Sequence, residues 1–194
     1  MGEKHIDTAD FIPINIAVLT ISDSRTEETD TAGKLLVDKL TDAGHRLAAK
    51  VIVPDNLYEL RAVLSQWIID DNVHAVITTG GTGLTGRDIT PEAVRPLFDK
   101  EIEGFGEVFR SISYQYIKTS TIQSRALAGL ANGKPIFCLP GSPGACRDGW
   151  DEVISHQLDS RHKPCNLIVL MPRYRESGVV VTGVETGGWR LKRR

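Results

Sequence analysis

His74-Ala75-Val76-Ile77-Thr78-Thr79-Gly80-Gly81-Thr82-Gly83-Leu84-Thr85-Gly86-Arg87-Asp88-Ile89-Thr90-Pro91-Glu92-Ala93 is the stretch whose reading decides the fold. Residues 74–79 have the composition of a buried strand and run without a break into a glycine-rich turn. Thr90, Pro91 and Glu92 then open a helix, with a capping threonine, a proline at the first helical position and an acid in the first turn. Strand, glycine loop and helix in that order are a βα unit, and ligands of such sheets bind beyond the carboxyl ends of the strands.

The loop's composition has a physical reason. Glycine permits positive φ and lets backbone N–H groups approach an anion closely, while threonine adds a hydroxyl donor. Residues 78–90 therefore read as a phosphate-cradling loop; a plain strand-to-helix turn is the alternative for any glycine-rich run. Thr85, Arg87, Asp88 and Thr90 add donors, a cation and a carboxylate to the same turn. No Gly-Lys-Ser/Thr follows, so this is not a Walker loop, and the dinucleotide fingerprint on the first strand is absent as well.

Outward from this loop, strands and helices alternate. Ile14–Ile21 reads as a strand ending in Ser22-Asp23-Ser24-Arg25. Asp30 or Thr31 caps a helix on Ala32, Leu35, Leu36, Leu40 and Ala43 that stops at Gly44. Leu47–Val53 is a second strand, ending in Pro54-Asp55-Asn56 ahead of a helix on Leu60, Val63, Leu64, Trp67 and Ile68. Downstream, Phe105, Val108, Phe109, Ile112 and Tyr116 form a core-facing stripe on a helix over 103–118. Asn132-Gly133 predicts a hairpin between 126–131 and 135–139, followed by Pro140-Gly141-Ser142-Pro143-Gly144 and a last helix ended by Pro164. The expected fold is α/β, a three-layer α/β/α sandwich with a mostly parallel central sheet. Segments 22–25, 54–56, 80–90 and 140–144 all fall on strand ends, and their convergence would make one pocket.

The whole chain fits one domain: 194 residues, 41% hydrophobic and 25% charged. No run approaches the roughly 20 apolar residues of a membrane span, and the N-terminus has no secretion signal, so the expected location is the cytoplasm, away from any membrane. Cys138, Cys146 and Cys165 lack metal or redox spacing and read as buried thiols. Arg173, Arg175, Arg190, Lys192, Arg193 and Arg194 against Glu176 and Glu185 give residues 173–194 a net +4, leaving −6 for the rest of a −2 chain. A mildly acidic body argues against nucleic acid as a partner.

Asp55 and Asp88 each lie just past a strand end, and two carboxylates beside a phosphate loop are oxygen ligands for a hard cation such as the magnesium of a magnesium–triphosphate complex. Alternatively, Asp55 caps the following helix and Asp88 only fixes the turn. Ser142 either donates to a phosphate or caps the last helix. Ser113, Ser124 and Arg125, taken alone, pass as surface or capping residues, and the histidines show no ligand spacing.

The run Thr78–Gly144 resembles the MoaB/MogA family of molybdenum-cofactor biosynthesis proteins. Residues 78–93 look like its signature, Glu103–Arg110 resembles its next block, and Ser124-Arg125-Ala126 with Leu139–Pro143 completes the pattern. Ser22-Asp23 and Pro54-Asp55 also fall where the family has them. The likeness covers residues 11–166, with a loose arm at 1–10 and a basic extension at 167–194, and is closer to MoaB than to MogA.

The resemblance implies an adenylyltransferase that binds molybdopterin and Mg-ATP and releases pyrophosphate. It implies Asp55 and Asp88 as catalytic and magnesium-binding residues. Ser22, Gly80, Gly81, Thr82, Gly83, Pro140, Gly141 and Ser142 would hold the nucleotide, and Ser113, Ser124 and Arg125 the pterin. It also implies a homo-oligomer, trimer or hexamer. A non-catalytic molybdopterin-binding scaffold is the alternative, and a nucleotide-binding domain with an unrelated substrate is a third reading.

Overall fold

The computed structural model describes residues 10–176, together with the strands at 180–185 and 188–192. Six strands form one sheet: β1 (Asn15–Ile21), β2 (Arg46–Val53), β3 (Ala75–Thr79), β4 (Lys100–Glu101), β5 (Leu127–Ala131) and β6 (Lys134–Leu139). Their order is β2-β1-β3-β6-β5-β4. The first four are mutually parallel, while β5 runs antiparallel to both β6 and β4.

The alternation of apolar residues along β1 sets the layers. Ile16 and Val18 face one core with α1 (Thr31–Asp42), α4 (Glu103–Ile117) and α5 (Pro143–Gly149), where Leu36, Leu40, Phe105, Phe109, Phe137 and Trp150 pack together. Ala17, Leu19 and Ile21 face the other with α2 (Leu57–Ile69) and α3 (Thr90–Val94), against Leu60, Leu64, Trp67 and Val94. The sheet is thus covered on both faces, as its near-continuous apolar strands require. No helix among the described residues is long and apolar enough to cross a membrane.

The chain passes from β1 through α1 to β2 on one side, then through α2 back over β1 to β3 on the other. The strand order therefore reverses between β1 and β3, and a crevice opens at their carboxyl ends. The Asn132-Gly133 hairpin is present, with φ of 48° and 77° at the two turn residues.

Several local expectations are corrected. Thr90 is the first residue of α3 and not its cap, because its hydroxyl donates to the Gly80 carbonyl instead (2.8 Å). In α4 the buried face is Phe105, Gly106, Phe109 and Ser113, while Val108 and Tyr116 are exposed. The last helix continues from α5 through a π-helical turn (Trp150–Ile154) into α6 (Ser155–Gln157), where it stops short of Pro164. Cys138 and Cys146 are buried, but Cys165 is exposed. A short α7 (Leu167–Leu170) places Ile168 in the first core. Beyond it, β7 (Val180–Glu185) and β8 (Gly188–Lys192) pair antiparallel as a separate sheet. The expected arm falls mostly on residues 1–9, outside the described residues.

Candidate active site

At the crevice between β1 and β3 the four strand-end segments converge on a single cavity of about 550 Å³. Ser22, Asp55, Gly80, Gly81, Thr82, Gly83, Asp88, Ser113, Ser124, Pro140, Gly141 and Ser142 all line it. Its size is within the range of about 300–1,000 Å³ common for small-molecule pockets.

The glycine loop is shaped by close backbone approach. Gly80 has φ of +108°, its N–H donates to Leu139 O (3.0 Å), and a Cβ there would lie 2.2 Å from Ile21 O. Gly81 follows at φ +62°, and its carbonyl accepts from the Thr90 N–H (2.9 Å). Both conformations favour glycine. Among the described residues the amides of Gly81 and Thr82 donate to no protein acceptor, which leaves them for a ligand.

Two carboxylates flank this loop. Asp55 Oδ1 would be 3.2 Å from a Cβ on Gly81, and Asp88 Oδ2 2.7 Å from one on Gly83, so the side chains sit against successive parts of the turn. Asp55 is not a helix cap: Asn56 caps α2, its Oδ1 accepting from the N–H groups of Tyr58 (3.0 Å) and Glu59 (3.2 Å). Asp88 does fix the turn, since its Oδ2 accepts from the Thr85 N–H (2.8 Å) and hydroxyl (2.6 Å).

The two acids are tuned in opposite directions. Partial burial raises the Asp55 pKa, the nearby Asp23 and Asp88 carboxylates add to this, and Arg87 offsets part of it. Burial also pushes Asp88 up, but hydrogen bonds from Thr85 and Gly83 and the charge of Arg125 outweigh it, so its pKa is lowered. Asp55 is thus an acid pressed by other acids, a situation that a bound cation would relieve. Two carboxylates suffice for magnesium, which keeps most of its coordination for water and phosphate oxygens. The donor set fits a magnesium–phosphate complex.

Arg125 lies elsewhere than its neighbours in sequence suggest. Its guanidinium is behind the loop, with Nε donating to Gly83 O (2.7 Å), Nη2 to Asp88 O (2.7 Å) and Nη1 to the Glu92 carboxylate. It lines an adjacent cavity with Arg110 and Glu107 and acts on the cleft by bracing the glycine loop. Ser142 caps α5, its Oγ accepting from the Ala145 N–H (3.2 Å). Ser22 Oγ accepts from the N–H groups of Ser24 and Arg25 (both 3.3 Å), which turns the chain away from β1 at the cavity wall.

The cleft also contains groups beyond the site residues named from the sequence, among them Asp30, which is the helix cap the sequence offered. Asp30 is buried at its floor and caps α1 through the Gly33 N–H (2.9 Å), while also accepting from Thr20 Oγ1 (2.8 Å) and pairing with Lys50 (3.0 Å). Phe109 and Ile117 give the Ser113 side an apolar wall. Arg25 and Arg87 are the basic residues of the lining, Arg25 being tied by Nη1 to Thr29 O (3.0 Å). Two of the histidines are structural: His45 Nδ1 accepts the Ile14 N–H (3.3 Å) and His74 Nδ1 the Asn15 N–H (2.9 Å).

Comparison with known proteins gives the family. A family profile described as "Probable molybdopterin binding domain" matches residues 17–160. The chain is 54% identical over 159 residues to molybdenum cofactor biosynthesis protein B of Escherichia coli (strain K12), covering 82% of this chain and 94% of that protein. A crystal structure of a molybdenum cofactor biosynthesis protein B superposes with a TM-score of 0.74 at 43% identity, covering 76% of this chain and 92% of that one. The molybdopterin biosynthesis Mog protein from Mycobacterium ulcerans superposes at 0.66 with 29% identity, covering 76% and 96%. With the family profile and these relatives spanning most of its length, the chain belongs to the MoaB/MogA family of molybdenum-cofactor biosynthesis proteins.

Proposed function

We propose that this chain binds molybdopterin and Mg-ATP in the β1/β3 cleft and adenylylates the pterin's terminal phosphate. The observation that carries the reading is the meeting, in one cavity, of unpaired loop amides and two oppositely tuned aspartates. The triphosphate lies along Gly80–Gly83, with Ser22 and the Pro140–Ser142 turn on its flanks. The pterin enters from the side of Ser113 and Ser124, where Phe109 and Ile117 offer an apolar wall for a flat ring.

The chemistry is positional. An ionised oxygen of the pterin phosphate attacks the α-phosphorus of ATP, a new P–O–P bond forms, and the bond to the β-phosphate oxygen breaks with its electron pair leaving on pyrophosphate. The nucleophile is already an anion, so the protein need only align it and disperse charge. Asp55 and Asp88 would hold the magnesium ion, which supplies neutralising charge for the departing pyrophosphate. Arg125 keeps Gly83 and Asp88 in register for that task.

Pyrophosphate release tests the reading. Wild-type protein with molybdopterin and Mg-ATP should release pyrophosphate, and Asp88→Asn should reduce the rate by at least about a hundredfold, the scale of losing one preorganised charge in a phosphoryl-transfer site. Unchanged release by Asp88→Asn would remove the catalytic assignment. Tight binding of both ligands without release would make the protein a scaffold.

A further inference from the structure

Lys118, which follows α4, has a backbone conformation that a side chain disfavours. Its φ of 51° and ψ of −132° fall at the corner that glycine fills in type II′ turns. A residue with a Cβ enters that region only under strain. Asn132 is the other non-glycine residue at positive φ among the described residues, and it sits in a hairpin turn that favours asparagine. Lys118 has no such excuse.

The strain falls between two stretches of cleft lining. Phe109, Ser113 and Ile117 recur every fourth residue of α4 and present one face of that helix to the cavity. Gln123 and Ser124 line the cavity further on. Between them runs a 3₁₀ turn (Lys118–Gln123), in which Thr121 is buried and the other five residues are exposed. The Thr121 hydroxyl donates to Arg110 O at 3.4 Å, near the limit for a hydrogen bond. The Lys118 side chain stays at the surface, its Nζ donating to Gln115 O (3.1 Å) and lying 5.7 Å from the centre of the Tyr114 ring.

A strained residue persists where its surroundings over-determine it, and these surroundings are few and exposed. A relaxed arrangement therefore lies close in free energy. The Lys118 N–H already donates to Tyr114 O as the next residue of a helix would, so moving Lys118 to the helical region would carry α4 past Ile117 and redirect the chain that bears Gln123. The far end of the turn is fixed. Arg125 donates from its backbone to Thr82 O (3.0 Å) and from its guanidinium to Gly83 O and Asp88 O. The change is thus confined to the turn itself.

We propose that Lys118 is a positioning residue for the pterin side of the cleft: its strained backbone makes residues 118–123 a two-state turn, and the pterin selects the state that puts Gln123 on the cavity wall. This rests on the pterin reading above. Gln123 supplies the difference in contact between the two states that a ligand needs in order to shift them. Pterin affinity is then reduced by the fraction of molecules in the competent state, and easing the strain at residue 118 recovers it. The nucleotide side, built on Gly80–Gly83, Ser22 and Pro140–Ser142, does not pass through this turn.

A series at one position tests this, with molybdopterin and Mg-ATP each titrated by calorimetry into the full chain. Lys118→Gly removes the Cβ and should tighten molybdopterin binding about fivefold, the scale of the glycine preference at positive φ. Lys118→Ala keeps the Cβ and should bind as wild type does, while the β-branched Lys118→Val should bind more weakly. Mg-ATP affinity should stay at the wild-type value throughout, and amide hydrogen exchange across residues 119–124 should slow in Lys118→Gly. Unchanged exchange there would overturn the two-state turn. Unchanged molybdopterin affinity in Lys118→Gly, or molybdopterin and Mg-ATP affinities that move together, would overturn the positioning role and leave the pterin reading standing. A wild-type chain that binds no molybdopterin under any condition would remove both.

Discussion

Replacing Arg125 by alanine would test whether the glycine loop is held from behind. The substitution removes two hydrogen bonds from a charged donor, to Gly83 O and Asp88 O (both 2.7 Å), and the pairing with Glu92. Hydrogen bonds of this kind contribute about 1.5–3 kcal/mol each. The side chain is 29% exposed and water can reach part of the vacated space, so the lower figure applies to each, about 3 kcal/mol for the two. The Glu92 pair, half exposed on the acid's side, adds at most about 0.5 kcal/mol. Against a typical total of about 5–15 kcal/mol, the loss is large but survivable. Arg125→Lys, with a point charge in place of a fork, should recover about half. Urea unfolding measures the stability, and amide hydrogen exchange across residues 81–88 measures the loop. Wild-type stability combined with unchanged exchange in Arg125→Ala would refute the brace. If only the pterin affinity moved, Arg125 would be a ligand contact.

Other outcomes follow from the same contacts. Gly80→Ala puts a Cβ 2.2 Å from the Ile21 carbonyl at a φ of +108°, so it should cost at least about 3 kcal/mol in urea unfolding and abolish ligand binding. Asp55→Asn removes a carboxylate disfavoured by burial and by Asp23; in thermal unfolding it should be no less stable than wild type while ending pyrophosphate release, the trade expected of an active-site acid. Burial raises Asp30, but bonds from Gly33, Thr20 and Lys50 outweigh it and its pKa is lowered. Its contribution to stability is therefore full above the unfolded carboxylate value of about 4 and lost as pH falls through the folded value, so Asp30→Asn should flatten the acid limb of a stability–pH curve. Burial pushes the Cys138 and Cys146 thiols to about 12 and about 11, so Ellman's reagent at pH 8 should titrate Cys165 alone in the native protein and all three thiols after denaturation.

The layers and the location of the cleft were legible because they depend on local signals repeated many times. The uninterrupted apolar run of β1 called for cover on both faces, and Asn132-Gly133 could hardly be anything but a hairpin. The placement of the cleft-lining segments on strand ends followed from the alternation of elements. What escaped was decided by contacts between distant residues. Thr90 has the sequence of a cap, yet its hydroxyl is claimed by Gly80 across the loop. The Phe105–Tyr116 stripe drifts because α4 buries Gly106, where a Cβ would lie 2.7 Å from Ala126 O, and so turns Val108 and Tyr116 outward. Nothing local says that Arg125 bends behind the loop while Ser124 faces the cleft. The contacts of Asp23 with Arg87 and with the Asp55 N–H likewise appear only when the ends of β1, β2 and β3 are brought together.

The central claim is that this cleft joins a pterin phosphate to the α-phosphate of ATP. The most direct measurement is the mass spectrum of the pterin recovered after incubation of the wild-type chain with molybdopterin and Mg-ATP. The expected result is a pterin heavier by one adenylyl group, with an equal amount of pyrophosphate, and no such product with Asp88→Asn. Pterin recovered unchanged from protein shown to bind both ligands would contradict the claim.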